Sequence, residues 1–352
     1  MSSATKHKFP PPPPSTRETP TRHNTRVKTL KAPLAKLLPL IGVLIMIVAL
    51  SISTPRFSTW VNISSIIRQH AQIVIMAVGM TFVVVSGGID LSVGSMMALS
   101  GVCGTLLMTV GVPVVPAIFG GSLAGLLCGL LNGLLISQLK ITPFIATLGT
   151  MEVFRGLVLQ ITKGLPVYKG IPGSFGVLRN GNLSDIIPLG FLDVIPIPLV
   201  LILLIMILAS LTLRYTRLGR YAYAIGSNVE AAHHSGIKVG TYIILIYAVC
   251  GFLTGFAGMI HSSSLGGGRA TEGVGYELRV IAAVVIGGGS FMGGEGSVSG
   301  SIIGALFMAV LLNACVHLHI SDYIQRIVIG GLIVLAVAFD QFRKRKLEGG
   351  GV

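Results

Sequence analysis

The run Ser86-Gly87-Gly88-Ile89-Asp90-Leu91-Ser92-Val93-Gly94-Ser95 sets a carboxylate, three hydroxyls and three glycines between two long apolar stretches. An ionised Asp in a bilayer costs about 2.5–3.5 kcal/mol on insertion scales, so it is kept only where it faces protein, water or a helix end. Two roles fit Asp90. It lines a translocation path, or it accepts hydrogen bonds from the free N–H groups that open the next helix, where its charge also opposes the positive helix end. Gly88, Asp90, Ser92, Gly94 and Ser95 are therefore the expected path or helix-positioning residues.

A second organised stretch is Thr216-Arg217-Leu218-Gly219-Arg220-Tyr221-Ala222-Tyr223-Ala224-Ile225-Gly226-Ser227-Asn228-Val229-Glu230-Ala231-Ala232-His233-His234-Ser235-Gly236-Ile237. Asn228 or Ser227 suits the cap of a short helix starting near Val229, Glu230 favours its first turn, and Gly236 suits its end. Small Ala231 and Ala232 would offer a face that another protein can grip. Adjacent His233 and His234 point about 100° apart on a helix with no third ligand near, so a metal site is not expected there. His317 and His319 are expected to be solvated in an outer loop. Cys103, Cys128, Cys250 and Cys315 are isolated in apolar runs and read as small core residues. No Walker A loop, H-E-x-x-H pair or G-x-S-x-G elbow occurs, so the chain carries no ATPase or hydrolase signature.

The elements that hold these residues are apolar helices. Of 352 residues, 52% are hydrophobic and 11% charged, with a mean hydropathy of +0.83, far from the composition of a water-soluble domain. The expected class is an all-α polytopic membrane protein with about ten transmembrane helices. Apolar runs fall at 37–54, 66–86, 92–110, 114–137, 142–161, 194–213, 240–261, 276–291, 297–316 and 322–339. Glycines at 121, 125, 129 and 133 make a smooth stripe on the fourth, and Gly251 with Gly255, and Gly296 with Gly300 and Gly304, repeat the device for close helix packing. Gly87-Gly88-Ile89-Asp90-Leu91-Ser92-Val93 and Gly293-Gly294-Glu295-Gly296-Ser297-Val298 look alike, which suggests an internal repeat.

The net charge of +14 is distributed as a membrane topology signal and not as a nucleic-acid surface. Residues 1–36 hold eight Lys or Arg against one acid and five consecutive prolines from Pro10 to Pro14, a composition expected to be a disordered cytoplasmic tail. The first apolar run begins near Leu37, so it reads as a span and not a leader. Residues 37–340 form the expected transmembrane domain, with a cytoplasmic loop at 214–240 carrying Arg214, Arg217, Arg220 and Lys238, and 341–352 a basic cytoplasmic tail. The loop at 162–193, with Asp185 and Asp193, fits the external face. Both termini are expected in the cytoplasm.

Three stretches in order, Ser86 to Ser95, Thr216 to Ile237, and Gly275-Tyr276-Glu277-Leu278 with Ile281-Ala282-Ala283-Val284-Val285-Ile286-Gly287-Gly288, resemble the permease subunit of bacterial ABC importers for ribose and related monosaccharides. The likeness runs from about Leu37 to Asp340. It implies a type II ABC importer-like permease in the bacterial inner membrane, a pore of two copies, cytoplasmic ATPase subunits that hold the ATP and Mg, and a periplasmic sugar-binding protein. No cofactor is expected in this chain. The resemblance makes Arg217, Gly219, Arg220, Gly226, Asn228, Glu230, Ala231, Ala232, Ser235 and Gly236 the ATPase-coupling residues and adds Glu277 to the path. Two positions depart from the family pattern: Arg279 stands where an acid is usual, and Glu295 occupies a glycine-rich turn where relatives often differ. The competing class is an autonomous cation-coupled transporter using Asp90 or Glu295. A purely structural membrane protein is the third.

Overall fold

Long apolar segments that cannot leave backbone groups unpaired in lipid form helices. The computed structural model describes residues 40–52, 54, 57–187 and 189–348. The helices are α1 (Leu40–Ile52), α2 (Trp60–Val85), α3 (Val93–Thr109), α4 (Val114–Ser137), α5 (Pro143–Thr162), α6 (Val177–Asn180), α7 (Ile197–Tyr215), α8 (Arg217–Ser227), α9 (Val229–His234), α10 (Val239–Leu265), α11 (Tyr276–Ile286), α12 (Val298–His317) and α13 (Asp322–Glu348). Each expected apolar run is met by a helix. Six are long and apolar enough to cross a membrane alone, and α1 and α3 are shorter apolar helices. The proline-rich tail lies outside the described residues. At the other end α13 runs past the expected boundary at 340 to Glu348.

α2 is buried all round from Ala71 to Val85, as an evenly apolar helix should be. α10 packs beside it, and α4 runs antiparallel to α10 with the two backbones nearly touching. A methyl at Gly125 would lie 2.6 Å from the Gly255 Cα, one at Gly129 would strike the Tyr247 carbonyl, and one at Gly133 would lie 2.6 Å from the Ile244 Cα. The glycine stripe on α4 therefore meets Gly251 and Gly255 of α10, as its spacing suggests. The cysteines are free, with Cys128, Cys250 and Cys315 buried and Cys103 half-buried.

The eighth expected span, 276–291, is corrected. α11 has 11 residues and is about 16 Å long, roughly half the hydrocarbon thickness. The rest of that crossing is non-helical chain descending beside α3. Gly268 packs on Val102 and Thr105, and Gly273 packs on Gly94, about 12 Å further along α3. Bare backbone at this depth is tolerated because it is covered by protein.

The loop after α5 is also held down. Isolated bridges join Val167 to Gly268 and Asn182 to Pro196. Arg68 donates to the carbonyls of Arg179 and Gly181, both at 2.9 Å, and Arg179 Nε returns a bond to the Arg68 carbonyl. His317 is not simply solvated: its Nε2 lies 3.2 Å from Asn62 Oδ1, and its ring packs edge-on to Phe57.

α2 and α11 share a helix ending that also closes α3, α5, α9, α10 and α12. At the end of α2, Gly87 N–H donates to Val84 and Gly88 N–H to Val83, with Gly87 at φ +79°. At the end of α11, Gly288 N–H donates to Val285 and Gly289 N–H to Val284, with Gly288 at φ +89°. Both are Schellman endings that need a left-handed residue.

Replacement Gly129→Ala is expected to lower stability by about 1–3 kcal/mol, since neither helix backbone can withdraw. Gly156→Ala, with no atom within 4 Å of the added methyl, should stay within about 0.5 kcal/mol of the parent. Thermal unfolding in detergent reads both.

Candidate functional site

The Schellman ending of α2 turns the chain inward, and Gly88 to Ser92 cross the core before α3 begins. Asp90, Ser92 and Asn132 are each 0% exposed. Asp90 Oδ1 accepts the Ser92 N–H at 2.9 Å and the Ser92 hydroxyl at 2.6 Å. Asn132 Nδ2 donates to Ser92 Oγ at 2.8 Å and lies 3.3 Å from Asp90 Oδ2, and Thr150 Oγ1 donates to Asn132 Oδ1 at 2.7 Å. Tyr247 OH donates to the Ile89 carbonyl at 3.1 Å. The Ser92 N–H and hydroxyl and the Asn132 amide thus converge as donors on one carboxylate, with Thr150 bracing Asn132 and Tyr247 bracing the Ile89 carbonyl. This pattern locks a turn and leaves Asp90 facing no carbonyl shell of the kind a bare cation needs.

The capping expectation is refined by this geometry. Asp90 takes the N–H two residues on, an Asx-type turn, while Ser92 stands at the N-cap of α3 without a side-chain cap bond. Ser95 Oγ turns back to the Ser92 carbonyl. Asn132 and Thr150 escaped the sequence reading because neither belongs to a local motif of its own helix. Their spacing to Asp90 appears only once α4 and α5 are folded against α3.

Gly94 and Glu277 come together. Glu277 Oε1 accepts the Gly275 N–H at 3.1 Å, and a methyl on Gly94 would lie 2.6 Å from Glu277 Oε2. The same methyl would overlap the Gly273 carbonyl, so α3 and the break before α11 fit only through glycine. Arg155 of α5 donates to the carbonyls of Ala270 and Glu272 in that break. His261 Nε2 lies 3.1 Å from Glu272 Oε2. Arg279 lies over the Tyr276 ring, 5.3 Å from its centroid, and Glu295 is exposed in the turn beyond the far end of α11.

The coupling stretch folds as two helices. Thr216 caps α8 by accepting the Gly219 N–H, and Asn228 caps α9 by accepting the Ala231 N–H at 2.9 Å. Gly236, at φ +81°, ends α9, with its N–H on His233 and that of Ile237 on Ala232. The expected α9 boundaries hold, whereas α8 was not foreseen as a helix. Arg217, Arg220, Asn228, Glu230, Ala231, Ser235 and Gly236 are exposed and share an outer surface. Gly219 and Ala232 are buried beneath it, and Gly226 is half-buried against Val85. Among the described residues no three His, Cys, Asp or Glu gather as metal ligands.

Asp90→Ala removes the acceptor for both Ser92 bonds and is expected to cost about 1–3 kcal/mol. Asp90→Asn keeps an oxygen for the Ser92 N–H and should unfold at a temperature nearer the parent's. Equal losses in thermal unfolding would overturn the acceptor role. Normal assembly with no transport in Asp90→Asn would instead put Asp90 in the path.

A family described as branched-chain amino acid transport system / permease component matches residues 62–337. The ribose import permease protein RbsC of Haemophilus influenzae is 40% identical over 302 residues, covering 86% of this chain and 92% of that protein. RbsC of Bacillus subtilis is 41% identical over 306 residues, 87% and 92% of the two chains. The D-allose transport system permease protein AlsC of Escherichia coli is 38% identical over 305 residues, 85% and 90%. No solved structure matches. With its apolar helical bundle, its locked Asp90 turn and its exposed α8–α9 surface, the chain belongs to this family of ABC importer permeases.

Proposed function

We propose that this chain is the membrane-spanning pore subunit of an ATP-driven importer for ribose or a related monosaccharide. The observation that carries the mechanism is the α8–α9 surface. This pair of capped helices presents charged and small residues outward, which supports docking of a partner ATPase that supplies the energy. The relatives named as ribose and D-allose permeases support a monosaccharide cargo.

In this reading two copies enclose the path and both termini face the inner side of the bacterial plasma membrane. A cytoplasmic ATPase grips Arg217, Arg220, Asn228, Glu230, Ala231, Ser235 and Gly236. Arg214, Arg217, Arg220 and Lys238 cluster around α8 and α9, and Asp185 and Asp193 lie in the loop between α5 and α7, in keeping with the positive-inside bias. A periplasmic binding protein delivers sugar to the opposite end. The path runs past Gly88, Ser92, Gly94, Ser95 and Glu277, with Asp90 fixing their geometry.

Uptake of labelled ribose into vesicles is expected only with ATP, the ATPase and the loaded binding protein together. Uptake driven by an imposed ion gradient without the ATPase would overturn the reading in favour of a cation-coupled carrier. Glu230→Arg is expected to reduce ATPase co-purification and uptake at least about tenfold, the scale of one lost charged contact at a docking surface.

A further inference from the structure

Gly226 is the next-to-last residue of α8, a position where glycine weakens a helix relative to alanine. Its surroundings account for it. A methyl there would overlap the Val85 carbonyl oxygen at the end of α2 and lie 2.6 Å from the Gly294 nitrogen in the turn between α11 and α12. A methyl on Gly293 would lie 2.6 Å from the Gly226 carbonyl oxygen and 2.8 Å from the Gly87 Cα. Three separate chain segments therefore meet backbone to backbone at one point.

Hydrogen bonds tie the junction. Gly294 N–H donates to the Val85 carbonyl at 2.9 Å, and Tyr223 OH of α8 donates to the Gly296 carbonyl at 2.7 Å. Burial pushes the Tyr223 phenol above its ordinary range, so it remains a donor. Ala222 and Ile225 of α8 are buried alongside. α8 also touches α10 through Tyr221 and Tyr242, edge to face at 4.6 Å, but that is a contact of two side chains that rotate and repack. Backbone pressed on backbone has no such slack.

We propose that this glycine junction is the part that carries motion of α8 into the membrane, moving the end of α2 and the α11–α12 turn as one body with α8. The two segments leaving it meet again at the start of α3. α2 leads through Gly88 to Ser92 into α3, and the first turn of α11 sits on Gly94. A shift of α8 is thereby delivered to the Asp90 turn and to the break in the eighth crossing. Gly226, Gly293 and Tyr223 are positioning residues in this scheme. The inference rests on α8–α9 being the ATPase-docking face.

The test uses the full importer, with permease, ATPase and binding protein in lipid vesicles. Gly226→Ala is expected to retain the ATPase through purification, lose stimulation of ATP hydrolysis by sugar-loaded binding protein, and lower uptake at least tenfold. Tyr223→Phe, which deletes the hydroxyl bonded to the Gly296 carbonyl and adds no atom to the junction, should lower the ratio of uptake to hydrolysis severalfold if Gly226→Ala fails to assemble. Unchanged stimulation and uptake in the assembled Gly226→Ala importer, or in Tyr223→Phe, overturn the proposal. Spin labels at Ser227 and Met292, both exposed beside the junction, should keep the same dipolar broadening in nucleotide-free and ATP-trapped states. A change between the states means the segments separate, and also overturns it. Loss of the ATPase in none of the α9 surface variants would fail the docking reading instead, and is scored separately by co-purification.

Discussion

The approach of α4 to α10 is the constraint on which the rest of the bundle depends. In lipid there is no hydrophobic gain in pressing one apolar helix on another, so contact must come from close packing and hydrogen bonds. Gly125, Gly129, Gly251 and Gly255 let the two backbones meet with no side chain between them. That proximity fixes two polar residues. Asn132, one turn beyond Gly129, is aimed at Asp90, and Tyr247, whose carbonyl lies against Gly129, reaches the Ile89 carbonyl with its hydroxyl. A wider α4–α10 gap would leave Asp90 buried with too few donors, a state far costlier than the packing itself.

The same economy of volume recurs where α3 meets the break before α11. Gly94 and Gly273 interlock there, and Glu277 turns its carboxylate onto the Gly275 N–H to close the half-helix. Arg155 satisfies two carbonyls that the missing helical turns would otherwise have paired. Irregular backbone in the membrane is thus supported by a guanidinium, a carboxylate and close-fitting glycines, each compensating for bonds that a continuous helix would have made internally.

Apolar runs made the helices legible, because a stretch of about 20 apolar residues has few alternatives in lipid. The glycine stripe and the Asn228 and Gly236 ends of α9 were legible for the same reason, since each is a local requirement of backbone geometry. What escaped was non-local. The apolar run 276–291 reads as a span, yet Gly287 to Gly289 end the helix early and the ten residues before α11 supply the rest of the crossing as irregular, turn-rich chain. Asn132, Thr150 and Arg155 carry no signal in their own neighbourhoods. Gly226 was legible as important but not as inward-facing, because its reason lies in Val85 and Gly294, more than 60 residues away in either direction.

The shortness of α11 has a consequence for how the chain enters the bilayer during synthesis. Eleven residues that themselves include Glu277 and Arg279, led by a glycine-rich stretch with Arg269 and Glu272, do not partition into lipid by their own apolarity. The crossing can settle only when α2 and α12 are available to shelter it, and when α3 and α5 are already in place to receive Gly273 and to lend Arg155. Insertion of the C-terminal third is therefore a cooperative event that follows assembly of the N-terminal helices. A chain interrupted before α12 would leave this segment outside the membrane.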